Sequence, residues 1–474
     1  MHDPTSFTRR RLIGGVAVAA LSSAAAPALG AARRRSRGEK VNVAVIGAGG
    51  QGASNMSKLT GENIVACADV DYDHVLKALT DKEGNLLPAR RPLKAAYDRA
   101  ERFGDWRRML DKRKDIDAVV IATPDHHHAV AARWAMERGL HVYVQKPLTY
   151  SVEESRLLAK LARGNAKLVT QMGNQGHSGD DGRRVVELVR SGILGPVREV
   201  HVWTNRPIWP QGVPRRSATF TPASLDWDSW LGPSDVDWGF HADYAHFNWR
   251  GWVPFGSGAL GDMGAHLIDF PFWSLQLGLP TRIETRHTRW GADIRQVGAT
   301  GPAGRAGFPL ASTTHYQFGN APGGLVRLTW HDGGLLPETP PGFPAGLKMD
   351  PMGGVLFVGS RGMLMHETYG EKPVLIGEGL DEAARSVPRT LPRIAGGMQG
   401  HEMNFVRAIR GEEAISCPFD YAAPLNEAMN LGIVAMKAEQ PILYDGAAGR
   451  ITNLPDANRY LARETYRKGW ELTA

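Results

Sequence analysis

The chain has 474 residues and a mass of 51.7 kDa, room for roughly two to four domains around a sizeable core. Its 42% hydrophobic and 22% charged residues exclude a collagen, a coiled coil and a disordered tail, and two cysteines, Cys67 and Cys417, exclude a disulfide scaffold. The formal charge of +7 is unevenly placed: residues 1–40 hold eight Lys/Arg and two Asp/Glu, whereas the other 434 residues hold 48 and 47, so the body carries no basic signal for nucleic acid.

Arg9-Arg10-Arg11 precedes an Ala/Gly/Val-rich run from Leu12 to about Gly30, with small residues at Ala26-Pro27-Ala28. A basic, then apolar, then small-residue order is that of a secretory signal, and paired arginines before the apolar run point to twin-arginine export. Ser22, Ser23 and Pro27 argue against a stable membrane anchor. Residues 1–40 therefore predict a periplasmic or secreted protein, leaving a first domain at 41–172 and a second at 173–474.

Lys40–Ile46 is a short apolar run of the kind that forms a buried parallel strand. It ends in Gly47-Ala48-Gly49-Gly50-Gln51-Gly52, a G-x-G-x-x-G turn before a helix-compatible stretch, Ala53–Leu59. The first glycine permits the tight turn, the second admits a pyrophosphate to the backbone, and the third lets the helix pack on the strand. A second strand, Ile64–Ala68, ends at Asp69, placed to accept from adenosine ribose hydroxyls and to repel a 2′-phosphate. That favours NAD over NADP, with Asp71 as the nearby alternative. Asp117–Thr123, His141–Val144 and Lys167–Met172 continue the strands, with helices from about Pro124 to Arg138 and over Val152–Arg163 between them. Alternation of this kind predicts a doubly wound parallel sheet with its ligand at the C-terminal strand ends.

Beyond Gly173 the pattern changes. Val197–Asn205, His315–Phe318, Gly324–Trp330 and Gly354–Val358 read as strands with few helices between them, predicting a mainly antiparallel sheet. Gln399–Ile409 and Pro424–Lys437 read as helices, and Gly298–Gly307 and Gly333–Gly346 as loops. In Gly256–Trp273, Asp262, His266 and Asp269 stand at i, i+4 and i+7, one face of a helix. A carboxylate and an imidazole on adjacent turns can hold a hydroxyl and move its proton. Seven of 13 tryptophans fall between residues 203 and 252. Most are expected in packing, but Tyr244, Trp249 and Arg250 are candidates for a substrate wall, because flat rings beside polar groups suit the faces of a sugar. Asn174 and His177 follow the last strand of the first domain and are further candidates for the cleft. His126-His127-His128 opens a helix, where three consecutive side chains diverge, so no metal site is expected. His126 and His127 are read as capping and surface residues.

The order G-x-G-x-x-G, then Ala122-Thr123-Pro124-Asp125-x-x-His128, then Lys146-Pro147-Leu148 resembles the Gfo/Idh/MocA oxidoreductases. The resemblance runs from residue 40 nearly to the end. It implies a Rossmann NAD domain followed by an α/β domain with a large open sheet that often forms an oligomer contact, hence a homo-oligomer. It places Thr123, Pro124, His128, Gln145 and Lys146 at the cofactor, the first three beside the nicotinamide, and matches Asp262 and His266 to the family's Asp-x-x-x-His. Gln145 stands where the family's Glu-Lys-Pro motif has glutamate, one negative charge fewer beside Lys146. The expected activity is NAD-dependent hydride transfer from a hydroxyl of a small-molecule carbohydrate (a sugar, polyol or glycoside) with the cofactor retained. Lys146 would polarise the oxygen, His266 act as base and Asp262 orient it. The alternative is an NAD-dependent glycosidase working by oxidation, elimination, addition and reduction.

Overall fold

The computed structural model describes residues 35–291 and 305–472. The expected export signal and most of the Gly298–Gly307 loop lie outside the described residues, among which no helix is long and apolar enough to cross a membrane.

The first domain is a six-stranded parallel sheet made of β1 (Asn42–Ile46), β2 (Asn63–Ala68), β3 (Glu101–Phe103), β4 (Ala118–Ile121), β5 (His141–Gln145) and β6 (Thr170–Gly173), in the order β3-β2-β1-β4-β5-β6. β1, β4 and β5 are buried along almost their whole length, which is why they read as unbroken apolar runs. The strand order reverses between β1 and β4, so a crevice opens at their C-terminal ends. Gly47, Asp69, Thr123, Lys146 and Asn174 each follow the end of one of these strands within two residues.

The second domain carries nine strands: β7 (Val197–Thr204), β8 (Arg282–His287), β9 (Ser312–Phe318), β10 (Val326–His331), β11 (Gly353–Gly359), β12 (Gly362–Glu367), β13 (Val374–Ile376), β14 (Ile442–Asp445) and β15 (Arg450–Ile451). Their order is β13-β12-β11-β7-β10-β9-β8-β14-β15, antiparallel except for β7 with β10. Sequence periodicity reveals β7, β9, β10 and β11. The others are missed with β3, because most are short or polar edge strands that carry little pattern. The helix expected to start at Pro424 starts at Phe419 and runs to Ala438, with the proline inside it. It packs on the helices Val152–Gly164 and Gly258–Leu267 and on β8, locking the two domains through one hydrophobic core.

Candidate active site

The glycine turn is enforced by space. Gly47 has φ +77°, and a Cβ there would stand 2.7 Å from the Ala122 carbonyl oxygen; a Cβ on Gly52 would stand 1.8 Å from the Gly47 oxygen. The helix Gly50–Lys58 begins at Gly49 with no side-chain cap, leaving its first amides for a ligand. Asp69 accepts from the Ala48 and Gly49 amides at 2.7 and 3.1 Å on one oxygen and from the Asp71 amide at 3.0 Å on the other. It therefore braces the turn as well as lining the crevice. Burial pushes its carboxyl up, against those three donors. Asp71 is drawn away to the amide of His74 and to His246 Nε2.

Two cavities meet at this crevice. The first, of about 340 Å³, is lined by Gly47, Gly49, Gln51, Asp69, Thr123, Pro124, Gln145 and Lys146 from the first domain, and roofed by Trp230, His246, Trp249, Arg250 and Trp470. Thr123 Oγ1 is buried there without a protein partner. A crevice with a glycine cradle, an uncapped helix start and an orphaned hydroxyl fits a dinucleotide. The second cavity, of about 470 Å³, shares Gln51, Gln145, Lys146, Phe247 and Arg250, and adds Asp262, His266, Arg206, Tyr369 and Glu371 among its walls.

Lys146 sits where they join. Its Nζ donates to Asp262 Oδ1 at 2.8 Å and to the Asp262 carbonyl at 2.9 Å. Arg250 Nε donates to the same Oδ1 at 3.0 Å, and its guanidinium lies over Phe247 and Trp249. Burial alone would raise the Asp262 carboxyl, but Lys146 and Arg250 outweigh it and hold the group well below the usual carboxylate range. His266 is pushed down to about 3 by burial, with Lys146 adding to the effect and Asp262 opposing it, so its ring is neutral. Its Nδ1 meets Asn174 Oδ1 at 3.2 Å, which puts the proton on Nδ1 and leaves Nε2 as an acceptor. The ring is thus oriented by Asn174, not by Asp262, whose carboxylate is spent on Lys146 and Arg250. Asn174 is wholly buried behind His266, not on the substrate wall.

Other expectations are corrected. Tyr244 is 0% exposed: its hydroxyl donates to the Arg216 carbonyl, and its ring packs with Trp238 and Trp252. Trp249 faces the first cavity and is absent from the lining of the second. Asp269 lies beyond the break between helices Gly258–Leu267 and Asp269–Ser274 and turns inward to His177 and Tyr421, so neither it nor His177 lines either cavity. His126 and His127 are buried, not surface: both rings meet the Trp230 carbonyl, and His126 meets that of Phe255. His128 meets the carbonyls of Pro147 and Thr123, positioning the loops around the crevice without lining it. Sequence reasoning missed Arg206, Tyr369, Glu371 and the buried Asp125, which accepts from Ser257 Oγ at 2.7 Å. Asp125 lay inside the quoted motif and could have been found there.

Residues 41–172 match the Gfo/Idh/MocA oxidoreductase family in its NAD-binding Rossmann fold, and residues 179–281 match its C-terminal alpha/beta domain. The chain is similar to a glycosyl hydrolase family 109 protein of Solibacter usitatus, 33% identical over 160 residues, 33% of this chain and 35% of the relative. It is also similar to the levoglucosan dehydrogenase of Pseudarthrobacter phenanthrenivorans, 29% identical over 250 residues, 49% of this chain and 56% of the relative. The matches thus span between about a third and just over half of these relatives. Among solved structures, GenD2 from gentamicin A biosynthesis in complex with NAD shares the fold with a TM-score of 0.55 at 16% identity, covering 87% of this chain and 99% of that one. Levoglucosan dehydrogenase in complex with NADH and L-sorbose does so with 0.53 at 16%, covering 86% and 99%.

Proposed function

We propose, from the match of residues 41–172 and 179–281 to the two domains of the Gfo/Idh/MocA oxidoreductase family, that this chain is an NAD-dependent oxidoreductase acting on a hydroxyl-bearing carbon of a sugar. The observation that carries the reading is the junction of the two cavities, where a lysine fixed by a carboxylate stands beside a neutral histidine. Gly47, Gly49, Gln51, Asp69, Thr123 and Pro124 would hold NAD, which would supply a hydride acceptor. Lys146 spends two of its three N–H donors on Asp262, and the third is left for the substrate oxygen. That donor stabilises negative charge as it develops on the oxygen. His266 Nε2, neutral and held through Nδ1, takes the hydroxyl proton. Asp262 keeps Lys146 in place and balances its charge.

The roof over the first cavity supports a retained cofactor. Trp230, His246 and Trp249 from the second domain and Trp470 near the C-terminus line the first cavity together with the glycine turn, so a dinucleotide there would be covered from both domains. Export by the twin-arginine route, proposed from residues 1–40, gives retention a purpose, since free NAD is scarce outside the cytoplasm. The test is to denature the purified protein, quantify released dinucleotide, and follow 340 nm absorbance of the loaded protein as sugars are added. Near-stoichiometric NAD reduced by a sugar, with Lys146→Ala and His266→Ala each lowering the rate about 10²–10⁴-fold, is expected. A loaded enzyme indifferent to both substitutions would refute the assignment.

The similarity to glycosyl hydrolase family 109 proteins supports a second reading with the same residues. Oxidation at C3 of a glycoside acidifies the C2 proton; its removal expels the aglycone from C1, water adds in the aglycone's place, and the hydride returns to C3. Release of p-nitrophenol from aryl glycosides without added NAD separates the two readings.

A further inference from the structure

We propose that the second cavity selects a sugar acid, one carrying a carboxylate as uronic and aldonic acids do, and that Arg206 reads that charge. This rests on the second cavity being the substrate site.

Three cations converge on a single carboxylate. Lys146 and Arg250 both bond to Oδ1 of Asp262, while Arg206 Nε lies 3.9 Å from Oδ2, beyond hydrogen-bond reach. The only side-chain hydrogen bond of Arg206 among the described residues goes from Nη1 to the neutral amide of Asn205. Nε and Nη2 are therefore free of hydrogen-bond partners and belong to a side chain on the cavity wall. The fourth cation, Lys58, is matched by Glu402 at 3.2 Å, so it adds no excess. Glu371, the remaining acid on the wall, forms no ion pair with Arg206 within 4 Å, so it does not hold the guanidinium. Asp125, behind the wall, is bonded to Ser257 and pushed up to about 7 by burial.

The cavity thus holds a guanidinium that shares a single carboxylate with two closer cations and makes no hydrogen bond to it, on the opposite oxygen of Asp262 from Lys146. A half-enclosed positive charge of this kind attracts an anion more strongly than the same charge in water. Two free donors in a planar fork suit the two oxygens of a carboxylate. A phosphate dianion, by contrast, would meet only one uncommitted guanidinium. The neutral walls, Gln175, Tyr369 and Gln399, offer donors and acceptors suited to the remaining hydroxyls. About 470 Å³ is ample for one sugar ring.

The experiment uses the NAD-loaded full chain with glucuronate and gluconate as acids, glucose as the neutral comparison and glucose 6-phosphate as the phosphate arm. For the wild type, kcat/KM for the better acid should exceed that for glucose at least tenfold and fall with added salt. Arg206→Gln should cut the acid-to-neutral ratio at least tenfold, chiefly through KM, and Arg206→Lys should recover part of it. A wild type that prefers glucose, a ratio unmoved by Arg206→Gln, or a preference for the phosphate overturns the proposal. If no sugar of either charge reduces the bound nicotinamide, the oxidoreductase reading fails instead. Calorimetric titration of glucuronate and glucose into the loaded wild type and Arg206→Gln then decides charge selection by affinity alone: weak or equal binding of the acid overturns it.

Discussion

Asn174 illustrates how one buried amide sets the chemistry of its neighbour. It touches His266 through Nδ1 and lines neither cavity, so it is a positioning residue. Asn174→Asp places an anion against the ring and raises the histidine pKa. The acid limb of the kcat/KM profile should move upward by about one pH unit or more, while KM at high pH changes little; an unmoved limb would mean His266 is not the base. Asp69 has two duties, and its replacement should show both. Asp69→Ala removes the acceptor for the Ala48 and Gly49 amides, so NAD affinity should fall at least tenfold. It also removes the repulsion of a 2′-phosphate, so the NAD-to-NADP affinity ratio should narrow. Equal affinities in the unmodified protein would remove Asp69 as the selector. Gly47, Gly52, Asp69 and Lys146 are legible in the sequence because their geometry is local: a turn, a strand end, a fixed spacing. The sequence points to Asn174 only as a residue facing the cleft and gives no sign of Arg206, because the contacts that give them meaning join residues 92 and 56 positions apart.

At the scale of elements, the helix Gly258–Leu267 shows where periodicity helps and where it misleads. Its i, i+4 pair does face the cavity, but the helix breaks after Leu267 and the i+7 carboxylate turns away. The segment from Trp227 to Trp252 reads as a ring-rich wall, yet composition does not separate an interior ring from a lining one. Tyr244, Trp252 and Phe255 make a small core of their own. That core holds a strap across the first cavity. His246 has φ +52°, a conformation uncommon outside glycine, and its ring stacks on that of His74 from the first domain at 3.7 Å and 1°. Its Nε2 lies 3.3 Å from Asp71 Oδ2. Burial lowers the His246 pKa, the neighbouring His74 and Lys77 lower it further, and Asp71 opposes them. The contact is therefore favoured above the usual histidine pKa and loosens as pH falls below it. The dissociation rate of bound dinucleotide, measured by chase with excess NAD analogue, should rise severalfold from pH 7.5 to 5. His246→Ala should raise it about tenfold at pH 7.5 and flatten the pH dependence. A rate indifferent to both changes would mean the strap does not gate the cavity.

For the whole molecule, the strand order of the first sheet follows from the alternation of strands and helices, whereas that of the second does not. Its long-range pairings, such as β7 with β10 and β11, have no local signature. Nor does the packing that buries His126, His127 and His128, although the apolar residues all round Asp125–Glu137 are a sign that this helix has no open face. These enclosed imidazoles have a global effect. Burial pushes His127, His266 and His401 down to about 3 and His128 and His366 to about 4. In the unfolded chain each titrates near 6.5. Between those values the unfolded chain binds protons that the fold refuses, so stability is present above about 6.5 and is lost as pH falls, at about 1.4 kcal/mol per unit for each fully shifted group. Asp125 and Asp332, raised to about 7 and 6 by burial, oppose this but are fewer. The unfolding temperature should drop by about 10 °C or more between pH 7 and 5. No drop would mean that these rings are accessible to protons in the folded state.

The two cavities share a wall: Gln51, Gln145, Lys146, Phe247 and Arg250 face both. A side chain fixed by one occupant is thereby fixed for the other, and the two binding equilibria become edges of one closed thermodynamic square. Whatever factor the dinucleotide contributes to the affinity for sugar, the sugar must return to the affinity for dinucleotide. On the proposed reading, if a sugar binds the loaded protein more tightly than the empty one by gripping Lys146 and Arg250, it must tighten the hold on the dinucleotide by the same factor and so slow its loss.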